Sequence, residues 1–152
     1  MPDEIDLAIL ACLQEEARIS NVQLAVRVHL SESACLRRVR ALEETGFIVG
    51  YAAQVDPDRV GLPVNVFVHV TLTHQDQTDL DTFEEAVRAI PEVMECYLMT
   101  GDFDYLLRVV VSDAADFERI HRHQLTQLPG VSRVQSSFAL RTVRKTTALP
   151  LR

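Results

Sequence analysis

Between Val64 and Leu72 every second residue is apolar: Val64, Val66, Val68, Val70 and Leu72 form one row, and Asn65, Phe67, His69 and Thr71 the other. A period of two belongs to an extended strand with one buried face, and a run of β-branched valines packs well there. A lone strand is not stable in water, so the chain that follows has to supply its neighbours and a cover. Its pattern does so: a helix over about Leu80–Ile90, strands near Val93–Thr100 and Tyr105–Val111, a helix over about Ala114–Leu128, and a last strand near Val131–Thr142.

An internal echo fixes how these pieces group. Phe83 opens a helix closed by Ile90-Pro91-Glu92-Val93, and Phe117 opens one closed by Leu128-Pro129-Gly130-Val131. Each half is one β-α-β unit, and two such units interleave into a ferredoxin-like sheet with both helices on one face. The other face, that of Asn65, Phe67, His69 and Thr71 or else the opposite valine row, then needs a partner, and Phe67 with its neighbours points to a second subunit.

The first third of the chain has a helical period instead. Ile5, Ile9, Leu10 and Leu13 share a face behind Asp3, a good N-cap. Ser20-Asn21-Val22-Gln23 reads as a capping box before Leu24, Ala25 and Val28. After the break at Val28-His29-Leu30, Ser31 caps a third helix with Cys35, Val39 and Leu42 inside, Leu30 placed to staple onto Cys35, and Gly46 at its end. Three short helices with a tight turn before the last form a helix-turn-helix pattern. From Phe47 to Val55 the chain reads as extended, running into the polar turn Asp56-Pro57-Asp58. The organisation expected is α+β: a helix-turn-helix domain over residues 1–46, a connector over 47–61, and a ferredoxin-like βαββαβ domain over 62–152.

Charge limits where such a chain can meet nucleic acid. The formal net charge is −7, and residues 1–60 are acidic as a group. From Arg27 to Arg40, however, there are four arginines and one acid, Glu32. Ser33, Arg37 and Arg40 fall at i, i+4 and i+7 on the face turned away from Cys35, with Arg38 beside them. Small polar residues near the start of a recognition helix approach base edges, and arginines further on reach guanine or phosphate. Gln23 and Ser31 are grouped with Ser33, Arg37, Arg38 and Arg40 as the expected DNA-binding set. A solvated basic face is the plainer account of an isolated Arg-Arg-x-Arg run.

A second constellation, Thr100-Gly101-Asp102-Phe103-Asp104-Tyr105, joins two apolar strands. Gly101 frees the backbone to turn, and two carboxylates are able to receive an ammonium group. Ser136 and Ser137 on the last strand are the expected partners for a carboxylate. From spacing alone, a hairpin in which Asp102 and Asp104 cap their own backbone remains the alternative.

Other chemistries find little support. Cys12, Cys35 and Cys96 make no C-x-x-C pair and are expected to be reduced packing residues. His121 and His123 point to different faces of one helix, which suits neither a metal pair nor a catalytic dyad. Nucleophile-elbow, Walker and dinucleotide-binding motifs are lacking. No enzyme, metal or cofactor is expected. No membrane span or signal peptide is legible, so the cytoplasm is the expected location.

Taken in order, Ile5-Asp6-Leu7-Ala8-Ile9-Leu10, Leu30-Ser31-Glu32-Ser33-Ala34-Cys35-Leu36-Arg37-Arg38-Val39, Leu42-Glu43-Glu44-Thr45-Gly46-Phe47-Ile48, the Gly101–Asp104 loop, Ser136-Ser137 and the ending Thr146-Thr147-Ala148-Leu149-Pro150-Leu151 resemble the Lrp/AsnC family of feast/famine regulators from end to end. The resemblance implies a winged or extended connector, dimers formed through the C-terminal domain and commonly assembled into octamers, and amino-acid effectors held between those domains near Gly101–Asp104. His29 departs from it, since family members often carry Gly there; His tolerates left-handed backbone better than most residues. The expected function is a sequence-specific, DNA-binding transcriptional regulator whose activity or assembly answers to a small effector, an amino acid. Asp102 or Asp104 would take its ammonium, Asp104 being the closer, and Ser136 or Ser137 its carboxylate. The alternative is an effector-independent, nucleoid-organising architectural DNA binder.

Overall fold

The computed structural model describes residues 1–152, which form two compact units: residues 1–54 together with 143–152, and residues 55–142. The first unit holds three helices, α1 (Glu4–Glu15), α2 (Asn21–Arg27) and α3 (Glu32–Glu44). Each starts where a side-chain oxygen satisfies a backbone N–H that the helix leaves unpaired. Asp3 accepts from the Asp6 amide at 2.8 Å, Ser20 from Gln23 at 3.1 Å and Ser31 from Ala34 at 3.2 Å. Asp6 reaches back to the Asp3 amide and closes a capping box on α1. Ser20 makes its half of the expected box on α2.

The tight turn between α2 and α3 rests on His29, whose φ of +58° is the left-handed conformation expected of it. The Asn21 side chain donates to the Glu32 carbonyl at 2.8 Å and so ties the start of α2 to the start of α3. Ile9, Leu24, Ala25, Cys35 and Leu42 are buried between the helices, and Leu30 and Val39 pack against them. Gly46, at φ +82°, ends α3.

The second unit follows the expected β-α-β-β-α-β order: β1 (Val64–Leu72), α4 (Gln77–Val87), β2 (Val93–Leu98), β3 (Tyr105–Val111), α5 (Ala114–His123) and β4 (Val131–Phe138). The sheet is antiparallel with strand order β2-β3-β1-β4. Val66, Val68, Val70 and Leu72 pack with Phe83, Phe117 and Ile120 in one core. Burying each such side chain contributes about 1.5–3 kcal/mol, which makes this row the strongest determinant of which face the helices cover. The repeated Pro segments close both halves in the same way, the Val93 and Val131 amides turning back to the Ile90 and Leu128 carbonyls.

Element ends differ from expectation for local reasons. α4 starts three residues early because Asp76 caps it through the Asp79 amide. α5 stops at His123, where Gln124 leaves helical geometry, and a single 3₁₀ turn over Leu125–Gln127 follows. β4 ends at Phe138 rather than Thr142 because its partner runs out: Phe138 sits opposite Val66, and Ala139 makes the last bond to the Asn65 carbonyl. The stretch 47–55, expected to be extended, bends at residues 47 and 48 and forms no strand beyond them. Residues 143–152, expected with the C-terminal domain, lie with the helical unit, since the Gln14 carboxamide holds the Leu149 backbone. No helix is long and apolar enough to cross a membrane.

Candidate functional site

Helix α3 turns Cys35 and Leu42 inward and therefore presents Ser33, Arg37 and Arg40 outward. These three line an open hollow of about 380 Å³ with Leu36, Ala41 and Glu44. The four arginines between Arg27 and Arg40 separate into two groups. Arg27 pairs with Glu16 at 3.0 Å, and Arg38 donates to Asp3 at 2.8 Å and to Asp6 at 3.0 Å. Arg37 and Arg40 are exposed and make no ion pair within the chain. They are the two guanidinium groups of α3 left for an outside anion.

Two members of the expected DNA-binding set thereby acquire structural work: Arg38 clamps the start of α1 to α3, and the Ser31 hydroxyl is held at the α3 N-terminus, whereas Gln23 engages Ser20 only through its backbone amide and its side chain is exposed. Arg38 also holds the Asp3 carboxyl below its ordinary range, first through its hydrogen bond and then with help from the Asp6 amide. Arg38→Ala is accordingly expected to lower the unfolding midpoint of the helical unit by a few degrees while leaving the salt dependence of DNA binding unchanged, as thermal unfolding and salt titration would read.

The same ion pair gives a pH dependence with a definite sign. Asp3 in the first unit and Asp116 in the second both titrate below 3.8 when folded, Asp116 because the Ser112 amide and then Arg119 stabilise its charged form. A carboxylate lowered by folding adds stability above its unfolded value and loses it as the pH falls through the folded one. The contribution of these two carboxylates should be constant above their ordinary range, and thermal midpoints should fall as the pH drops through the lower, folded values. Asp3→Asn together with Asp116→Asn should flatten that fall.

The open face of the sheet carries the second constellation. In register, Thr71 lies opposite Arg133, His69 opposite Gln135 and Phe67 opposite Ser137. The loop after β2 folds over this end of the face: Phe103 stacks on His69 with ring centroids 4.1 Å apart, and Gly101 takes φ +110° to let the chain turn. His69, Thr71, Asp102, Phe103, Arg133 and Gln135 line a half-open hollow of about 200 Å³. One carboxylate and one guanidinium thus line a cavity on the scale of a small zwitterion.

Several expected effector residues separate here. Asp104 is committed to its own sheet: its Oδ2 accepts from the Leu72 amide at 2.7 Å and from the Gln75 side chain at 3.3 Å. That is backbone capping, and it leaves Asp102, rather than Asp104, as the carboxylate at the hollow. Ser136 and Ser137 cannot share a task in one protomer, because strand alternation puts Ser136 opposite Val68 on the helix side and Ser137 opposite Phe67 on the open side. Thr100 and Gly101 are exposed in the loop. Arg133 was not among the expected residues; counting β4 back from its pairing with β1 is what aligns it with Thr71.

Comparison with known proteins agrees with both halves. Residues 2–49 match the family model described as winged helix-turn-helix DNA-binding, and residues 65–149 match the Lrp/AsnC ligand binding domain. The chain is 46% identical over 149 residues to the Bkd operon transcriptional regulator of Pseudomonas aeruginosa, covering 98% of this chain and 97% of that protein. It is 39% identical to the leucine-responsive regulatory protein of Escherichia coli K12 over 99% of this chain and 92% of that one. Among solved structures, a transcriptional regulator of Neisseria meningitidis in complex with L-Met superposes with a TM-score of 0.93 at 39% identity, covering 99% of this chain and 97% of that one. With the outward arginines on α3, the βαββαβ domain and matches along nearly its whole length, the chain belongs to the Lrp/AsnC family of DNA-binding transcriptional regulators.

Proposed function

We propose that α3 enters the major groove, with Ser33 at base edges and Arg37 and Arg40 on guanine or phosphate, and that an amino acid bound at the Asp102 hollow modulates this binding. The observation that carries the reading is the division of the four arginines between Arg27 and Arg40: Arg27 and Arg38 are paired, and the two on the outer face of α3 are not. In the hollow, Asp102 receives the ammonium, and Arg133 takes the carboxylate. Burying a zwitterion requires a partner for each charge, and this hollow provides both. The L-Met complex of the Neisseria meningitidis relative supports the effector class.

The open sheet face, with Phe67 and Tyr97 exposed, is the surface through which two copies pair, and Ser137 lies within it. Assembly continues to an octamer, the protein works in the cytoplasm, and it catalyses no reaction. Thermal unfolding with each common amino acid in turn tests the effector reading: at a hundred times its dissociation constant an effector adds about 2.7 kcal/mol of stability. A midpoint that moves with none of them at millimolar concentration contradicts it. Light scattering on the full chain at micromolar concentration should find a dimer or larger, and a monomer contradicts the pairing.

A further inference from the structure

The segment that leaves β4 does not trail into solvent. Residues 146–151 belong to the helical unit, and Thr147, Leu149 and Leu151 line a hollow there together with Leu10, Leu13, Phe47 and Tyr51. Its fastening is specific. The Gln14 Nε2 donates to the Leu149 carbonyl at 3.1 Å, and the Leu149 amide donates to Gln14 Oε1 at 2.7 Å. One carboxamide thus reads both backbone groups of one residue, which requires that residue to be extended. Pro150 favours this, because a residue before proline is pushed out of helical geometry. Within the segment the Thr146 hydroxyl accepts from the Ala148 amide at 3.1 Å.

We propose that residues 146–151 are a strap that restrains the DNA-binding unit and relays the state of β4 to it. The chain passes from the helical unit to the sheet unit after Gln54 and returns after Thr142. A single connector through the exposed turn at residues 56–58 would leave the helical unit free to swing; a second, clipped passage removes much of that freedom. β4 carries Arg133 and Gln135 of the hollow and runs on into the strap, so the strap is the chain's own link from that hollow to α1. Docked and released strap are the two states that any coupling between sites needs. The occupant is this chain's own tail, because only residues 139–145 separate the end of β4 from Thr146, and a linker so short gives an effective concentration of roughly millimolar. The relay rests on the effector reading above; the restraint does not.

The test compares the full chain with Gln14→Leu, which removes both bonds while keeping a good helix former, and with a chain ending at Lys145. Hydrogen exchange reads the docking, and the anisotropy decay of a fluorescent side chain placed at exposed Val26 reads the swing. The wild type should protect the Leu149 amide at least about tenfold over an unstructured peptide, and both variants should lose that protection and show a new fast component in the decay. An unprotected Leu149 in the wild type, or decay unchanged in both variants, overturns the strap. Protection that rises with protein concentration places a partner's tail in the groove and overturns it as well. For the relay, L-methionine or L-leucine should bind Gln14→Leu by calorimetry with wild-type affinity, yet change its DNA affinity at least threefold less. An undiminished response overturns the relay. If no amino acid binds the wild type, the effector reading and the relay fail together, while exchange and anisotropy still decide the restraint.

Discussion

A chain carrying both Arg37→Ala and Arg40→Ala is expected to lose about thirtyfold or more of its affinity for a selected operator and to keep its fold. Both side chains are exposed and unpaired, so their removal leaves no buried charge and breaks no hydrogen bond or ion pair. A base-reading arginine contributes about 1–3 kcal/mol and each 1.4 kcal/mol is about tenfold, which puts the pair at roughly thirtyfold at the low end and beyond a thousandfold at the high end. The salt dependence separates the two modes of contact. If both arginines meet phosphate, the slope of log affinity against log salt becomes shallower by about 0.9 for each, and random DNA suffers equally. If they read guanine, the slope changes little and the loss falls on the operator. Gel-shift titration of the double variant decides it: operator affinity equal to wild type removes α3 from the interface.

Asp102→Ala and Asp104→Ala, two residues apart, are expected to do opposite things. Asp102 is exposed at the hollow and holds up no other part of the protein, so its removal should leave the unfolding midpoint in place. Effector affinity should fall by about 1.5–3 kcal/mol, the usual worth of a hydrogen bond to a charged group. Arg133→Ala should match it from the carboxylate side. Asp104→Ala instead orphans the amide of Leu72, a residue only 2% exposed, at a cost of about 1–3 kcal/mol of stability. Asp104→Asn, which keeps an acceptor oxygen, should recover most of that loss. Calorimetry and thermal unfolding on the same variants separate the two roles. Wild-type effector affinity in Asp102→Ala would move the pocket elsewhere, and an unchanged midpoint in Asp104→Ala would deny it the capping role.

What was legible in the sequence is what short-range physics controls. The valine row named the buried face of β1 because burial of alternate side chains has no other reading in a strand, and Phe83 and Phe117 marked the two helices that cover it. Asp3, Ser20 and Ser31 announced three helix starts because a cap acts within three residues of itself. The left-handed turn at His29 and the outward face of α3 followed from the same local rules.

The functional assignments that shifted all depend on partners distant in the chain. Arg38 looks like its neighbours Arg37 and Arg40 until Asp3 and Asp6, more than thirty residues away, are seen to claim it. Asp104 looks as free as Asp102 until β1 brings the Leu72 amide to it. Ser136 and Ser137 stand together in sequence, yet the register between β1 and β4 sends them to opposite faces, and that same register brings Arg133 to the hollow. Gln14 and Leu149 meet across 135 positions. Residue type and spacing set which side chains can cap, pack or carry charge, since those preferences act within a turn or a strand. Which charge is already neutralised, and which is left for a ligand, was decided only by tertiary structure, because hydrogen bonds and ion pairs are made by proximity in space.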